Sequence, residues 1–216
     1  MTQTDARQFA PATQRNREPI LAVLRRVLPQ EGLVLEIASG TGEHAAFLTP
    51  LLFPRYWLPS DADPEALKSI RAWQDDRPAE RLLPPVALEV SQGDWPDKAK
   101  AAIALHAPPL AISAIANINM IHISPWSATL GLMAGAEALL PDGGVLYLYG
   151  PYRQKDVPTA LSNEAFDASL RSRNPEWGLR NVEDVVAVAA QRGLHLRDII
   201  PMPANNLSVV FERRRR

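Results

Sequence analysis

An acid inside an apolar run is costly unless something pairs with it. Glu36, in "LVLEIASGTGEHA" (33–45), is therefore the first residue that needs a chemical reason. The stretch passes from a strand-like run into a turn holding Ala38, Gly40 and Gly42, and then into helix-favouring residues. Glycines let a turn bend sharply and approach a ligand closely. The helix after them offers free amides to a polar group. Asp61 ends a second apolar run, "RYWLPSD", about twenty residues after the turn, where an acid can accept the hydroxyls of a ribose diol. Glu89 with Val90, in "LEVSQGDW" (88–95), stands where a third strand would end and an adenine amino group could be met; Asp94 is the second choice, and plain surface the other reading. Together these residues point to an adenosine-containing ligand.

Two cofactors compete for the turn. "GTGEHA" (40–45) fits G-x-G-x-x-A, the dinucleotide fingerprint of an NAD-dependent oxidoreductase. Read with Glu36, the stretch becomes E-x-A-S-G-T-G, which resembles the E/D-x-G-x-G-x-G turn of S-adenosylmethionine (SAM) methyltransferases, with alanine at the first glycine. A carboxylate beside a pyrophosphate would repel it, whereas near the cationic methionine end of SAM it has a role. A structural role for Glu36, pairing a base or a backbone amide, stands beside that reading.

Residues for a reaction should come from the ends of later strands. In "NINMIHISPW" (117–126), Asn119 can hydrogen-bond an amine or the cofactor carboxylate. His122 can act as a base, with an ordinary pKa near 6.5; packing that orders the loop is its other reading. The connection from Gly150 to Arg180 is long for a compact domain and is read as a substrate cover. Within it Tyr152 and Arg180 are expected to touch ligand, while Phe166 and Trp177 are expected to anchor the segment. Arg15, Asn16 and Arg17 are read as preceding the first helix, from where they can fold over the cofactor carboxylate or remain solvated. Asn205 and Asn206 suit a hairpin turn.

Strand-like segments alternate with helical ones to position these groups. Strands are expected at 33–38, 55–60, 86–90, 109–116 and 144–150, with helices at "PILAVLRRVL", "EHAAFLTPLL", "DPEALKSIRAWQ", "DKAKAAIALH", "SPWSATLGLMAGAEALL" and "NVEDVVAVAAQRG". Pro19, Asp63 with Pro64, Ser124 with Pro125, and Asn181 read as helix starts. Early strands apolar on both faces indicate a parallel sheet covered by helices. "LHLRDIIPM" and "NLSVVFERR" have no helix between them and should pair antiparallel. The result is one α/β domain over 1–216. It is a Rossmann-like seven-stranded sheet of five parallel strands plus a C-terminal antiparallel hairpin, the layout of class I methyltransferases.

Composition narrows the partners. The 216 residues carry a formal net charge of -1, so no global field draws nucleic acid or an anionic membrane. No apolar stretch is long enough to span a bilayer. There is no cysteine, which removes thiolate chemistry and suits a reducing cytoplasm. The four histidines are scattered, without H-E-x-x-H, and no metal is expected. G-x-S-x-G is missing, which argues against a serine hydrolase. Arg213 to Arg216 read as a solvated tail, with a phosphate-binding arm as the lesser reading.

"RNREPIL", "LEIASGTGEH", "LPSD", "NMIHISPW", "YLYGPY", "SNEAFDASLRSRNPEWGLRNVEDV" and "MPANNLSVVF" resemble the class I methyltransferase-like family catalogued as domain of unknown function 938. That group includes methyltransferase-like protein 26. The resemblance runs from near residue 15 to the end. It implies a SAM-binding Rossmann-like fold without naming a substrate, and it makes Ala38 ordinary for the group. Glu89 stands where it implies aspartate, and "YRQKDVPT" lacks a glycine it implies. The reading is a SAM-dependent methyltransferase acting on a small molecule. A non-catalytic SAM-binding or interaction module of the same fold is the rival.

Overall fold

A computed structural model describes residues 5–105 and 110–215. Seven strands form one sheet: β1 (Leu33–Ile37), β2 (Tyr56–Asp61), β3 (Val86–Ala87), β4 (Ile112–Ile118), β5 (Val145–Gly150), β6 (Leu194–Met202) and β7 (Asn206–Arg213). Their spatial order is β3-β2-β1-β4-β5-β7-β6. The first five run parallel, and β7 pairs antiparallel with both β5 and β6. The expected sheet is therefore the observed one, with the last strand inserted beside β5. Strand order reverses between β1 and β4, which opens a crevice at their carboxyl ends.

The helices are α1 (Pro11–Val27), α2 (Glu43–Leu51), α3 (Pro64–Asp76), α4 (Trp95–Ala104), α5 (Trp126–Leu139), α6 (Leu161–Arg173) and α7 (Val182–Gln191). Apolar residues point to both faces of the sheet because a βαβ chain must cover both. On one face Leu33, Leu35 and Ile37 pack with Trp95, Leu132, Val185 and Phe211. On the other, Val34, Ala114 and Tyr147 pack with Ile20, Leu24 and Leu48. No helix among the described residues is long and apolar enough to cross a membrane.

Several boundaries differ from the sequence reading. The first helix starts at Pro11, and Pro19 lies inside it. Buried Thr13 and Asn16 before Pro19, and Ile20, Leu21 and Leu24 after it, hold both halves against the core. Strand β3 stops at Ala87, since the Glu89 side chain takes the Ser91 amide into a turn of its own. Strand β4 runs on to Ile118, while its expected start at Pro109, like His106 at the expected end of α4, lies outside the described residues. Asp63 caps α3 as expected, accepting the Glu65 amide at 2.9 Å. Ser124 does not cap α5; its hydroxyl donates to the Met120 carbonyl. The arginine tail is partly structure: Arg213 ends β7 and donates to the Gly193 carbonyl, while Arg216 lies outside the described residues.

Candidate functional site

The glycine turn links β1 to α2 through three left-handed residues: Ala38 (φ 56), Gly40 (φ 55) and Gly42 (φ 86). Ala38 thus holds the conformation a glycine would take more cheaply. The two glycines serve different ends. A Cβ on Gly40 would meet nothing within 4 Å, so this residue borders open space. A Cβ on Gly42 would come within 2.8 Å of Ile70 Cα, so here the close neighbour is α3 and not a ligand.

Glu36 is 1% exposed and does not line the crevice. Its Oε2 accepts the Trp57 indole N–H at 3.0 Å and the Ser39 hydroxyl at 2.9 Å. Ser39 and Ser60 close the network: the Ser60 amide donates to Ser39 Oγ, and the Ser60 hydroxyl to the Glu36 carbonyl. The expectation that this acid faces the cofactor is corrected; it fastens the turn to β2. Burial pushes its carboxyl up to about 7, against the pull of the indole and hydroxyl donors.

The crevice itself has a volume of about 330 Å³. It brings together Ala38, Asp61, Glu89 and Val90, four residues marked in the sequence from three separate strand ends. Leu88, Met120 and Ile123 add apolar walls. Asp61 Oδ2 accepts the Gly40 amide at 2.9 Å and Oδ1 the Asp63 amide at 3.0 Å, which fixes the carboxylate at the mouth. Trp177, from the long connection, also lines the crevice, so it does more than anchor that segment. A lone tryptophan far along the chain gives no sequence signal of this.

Helix α5 supports the wall that carries Val90. A Cβ on Gly131 would sit 1.9 Å from the Val90 carbonyl oxygen, and one on Gly135 would sit 1.7 Å from the Trp95 ring. The Trp95 indole donates to the Gly131 carbonyl at 3.2 Å. Two small residues one helical turn apart thus seat the loop after β3.

Asn119 follows β4 with φ 65, and its amide donates to the Tyr149 carbonyl at 2.8 Å. Its side chain and the His122 ring flank Gly150: a Cβ there would lie 3.2 Å from His122 Nδ1 and 3.6 Å from Asn119 Oδ1. His122 is 5% exposed and packs edge-on against Phe166, while its carbonyl accepts the Gly178 amide. Burial, with the Arg180 charge adding to it, pushes its imidazole down to about 4. A proton-accepting role is therefore weakened, and the ordering role that the sequence also allowed fits the contacts. Tyr152 does not reach the crevice; it lines a separate cavity, and burial raises its phenol above the ordinary value. Arg180 does not line the crevice; its Nη2 donates to the Ser124 and Glu176 carbonyls, while its Nε has no partner among the described residues.

Arg15 and Asn16 do not precede a helix; both lie on α1. Arg15 is exposed on its surface. Asn16 is buried, with Oδ1 2.8 Å from His44 Nε2. This contact ties α1 to α2. The residues between Asp5 and Ala10 lie over α3 and the turn: the Gln8 amide donates to Ser69 Oγ and the Ala10 amide to Glu43. Among the described residues no cluster of three acids or histidines could hold a metal.

A parallel sheet closed by an inserted antiparallel strand, with its crevice at the ends of β1 to β4, is the class I methyltransferase fold. The chain aligns with the apo form of the SAM-dependent methyltransferase SibL at TM-score 0.73 and 16% identity, over 94% of this chain and 56% of that one. An O-methyltransferase family 2 protein from Planctomyces limnophilus, in complex with apigenin, aligns at TM-score 0.72 and 19% identity over 94% and 60%. Human N-acetylserotonin methyltransferase in complex with SAM aligns at TM-score 0.69 and 13% identity over 94% and 53%. The chain spans little more than half the length of these structures. From residue 7 to residue 213 it matches the family described as protein of unknown function DUF938, and it belongs to that family.

Proposed function

We propose that the crevice binds SAM and that the protein transfers the methyl group to a small-molecule acceptor. The observation that carries this reading is the charge of the lining. Asp61 and Glu89 are its only charged side chains among the described residues. The Gly40 amide, which a pyrophosphate at this turn would need, already bonds to Asp61. A dinucleotide would bring two phosphates against carboxylates with no cation to meet them. A ligand with a ribose, an adenine and a positive centre suits the same lining.

SAM, when bound, supplies an electrophilic methyl group on a sulfonium sulfur. Asp61, fixed by two amides, has the remaining oxygen lone pairs to accept a ribose diol. Leu88, Val90, Met120 and Ile123 exclude water around a base. Asn119 and His122, beside Gly150, bound the end of β4. In this reading the chain acts mainly by holding an acceptor in line, and such positioning contributes roughly 7–11 kcal/mol. That SibL is a SAM-dependent methyltransferase and that a P. limnophilus relative of the fold was solved with apigenin supports a cofactor and acceptor of these kinds.

Titration calorimetry with SAM, with its demethylated product and with NAD tests the cofactor. SAM and its product are expected to bind in the micromolar range and NAD not to bind. Binding of NAD without SAM would overturn the reading. Methyl transfer to metabolite extracts then tests catalysis, and SAM binding with no transfer to any component would favour the non-catalytic module.

A further inference from the structure

A second cavity of about 230 Å³ lies where the long connection meets the hairpin between β6 and β7. Tyr152, Gln154, Asn163, Met202, Asn205 and Leu207 are among its walls. Leu207 pairs with Gly150, so the cavity opens at the carboxyl end of β5, the same end of the sheet as the crevice. The His122 ring and the Asn119 side chain also lie against Gly150.

Three observations mark it as a built site. Tyr152 is 6% exposed and lines the cavity, and no hydrogen bond within the described residues uses its hydroxyl, which is left to solvent or to a ligand. A ligand acceptor can take the place of water on this hydroxyl. Asn163, 7% exposed, donates from Nδ2 to the Asn205 carbonyl at 3.0 Å and so fastens α6 to the hairpin turn, with its amide oxygen still open to a donor. Among the described residues no charged side chain lines the cavity. The nearby Arg153 is consumed by Glu164 and Asp167, at 2.8 Å and 3.1 Å.

We propose that this cavity is the acceptor pocket and that it takes an uncharged molecule, apolar in body, which accepts a hydrogen bond from Tyr152 and donates one to Asn163. The proposal rests on the methyltransferase reading for the word acceptor; the ligand class follows from the walls alone. A carboxylate or ammonium would enter a space with no counter-charge and lose its hydration.

Benzamide, benzoate and benzylamine are matched probes. Their binding is read by chemical-shift changes in the full chain, with SAM affinity measured on the same samples. Benzamide is expected to bind and to perturb Tyr152, Asn163 and Asn205, with the two ions at least tenfold weaker. Tyr152→Phe is expected to weaken benzamide about fivefold while leaving SAM affinity unchanged. Gln154→Glu, which puts a charge in the wall, is expected to move the preference toward benzylamine. Failure of benzamide to bind, equal binding of benzoate, or an unaltered affinity in Tyr152→Phe would overturn the proposal. Failure of SAM to bind while benzamide binds as expected would overturn the cofactor reading and leave the neutral pocket standing.

Discussion

The carboxylate of Glu36 accepts the indole N–H of Trp57 at 3.0 Å, in a niche where Glu36 is 1% exposed. Two donors do not offset the lost hydration, and the carboxyl rises from 4.5 to about 7. Below the unfolded value both states hold the proton and no penalty exists. As pH rises through the folded value, the native state must ionise in the niche, and stability is lost. Such a shift is worth roughly 3 kcal/mol. Glu36→Gln cannot ionise. Its stability relative to the wild type should therefore improve by roughly 2–3 kcal/mol between about pH 5 and about pH 8. Urea unfolding of both proteins at the two values checks this, and a difference that stays constant with pH would rule it out.

His122 gives the opposite sign. Its imidazole falls to about 4 because burial penalises the cation. His44, which bonds to Asn16, falls to about 4 for the same reason. Each keeps its proton off in the native state and gains one in the unfolded chain, so each removes stability as pH falls from about 6.5 toward 4. The ring signals of both should stay those of neutral imidazole in NMR spectra from about pH 8 down to about pH 5. An inflection near 6.5 for His122 would restore it as a base.

Asp61 is expected to carry the ribose of the cofactor. Asp61→Ala removes a charged acceptor from the mouth of the crevice, worth about 1.5–3 kcal/mol, or about tenfold to a hundredfold in SAM affinity. Calorimetry reads the loss directly, and an unchanged affinity would show that the ribose is held elsewhere.

The turn holds two positions whose substitutions should act in opposite senses. Gly42→Ala puts a Cβ 2.8 Å from Ile70 Cα at a φ of 86, and both the contact and the backbone oppose it. A loss of roughly 2–3 kcal/mol is expected. Ala38→Gly relieves a φ of 56 at some cost in chain entropy, for a net gain of about 0.5 kcal/mol. Thermal unfolding of the pair checks both directions. A stabilising Gly42→Ala would mean that α3 moves aside freely.

How much of this was legible in the sequence depended on the range of the interaction. Strand and helix identity followed from apolar periodicity, and the hairpin from the lack of a helix between β6 and β7. Ala38, Asp61, Glu89 and Val90 come together in one crevice because each lies at or just past a strand end, and strand ends of a parallel sheet converge. Glu36 was recognised as needing a partner, but its partner is Trp57, on a neighbouring strand, and cross-strand choice depends on register. Helix α1 was cut short because Pro19 is a strong local start signal, while the residues that carry the helix through it are held by tertiary contacts. Trp177 lines the crevice and Tyr152 the second cavity, a division the sequence does not show, since the course of a long connection is set by ties such as Arg153 to Asp167 that have no periodicity.

Gly131 is on α5, where a Cβ would come within 1.9 Å of the Val90 carbonyl oxygen, and the Trp95 indole donates to the Gly131 carbonyl. Alanine favours a helix over glycine by about 1 kcal/mol, so local propensity alone would make Gly131→Ala stabilising. The contact decides the sign, because a backbone carbonyl cannot rotate out of the way as a side-chain tip can. The loop after β3 must shift outward, and with it Glu89 and Val90, which line the crevice. Overpacking of this kind costs roughly 1–3 kcal/mol, equal to a fall in Tm of about 3–10 °C for a chain of this size. SAM affinity should fall by more than stability accounts for, because the wall moves in the folded state as well. A surface control, Gly93→Ala, meets nothing within 4 Å and should leave both quantities unchanged. If Gly131→Ala raises Tm and keeps SAM affinity, the loop is loosely seated and the helix does not position the crevice.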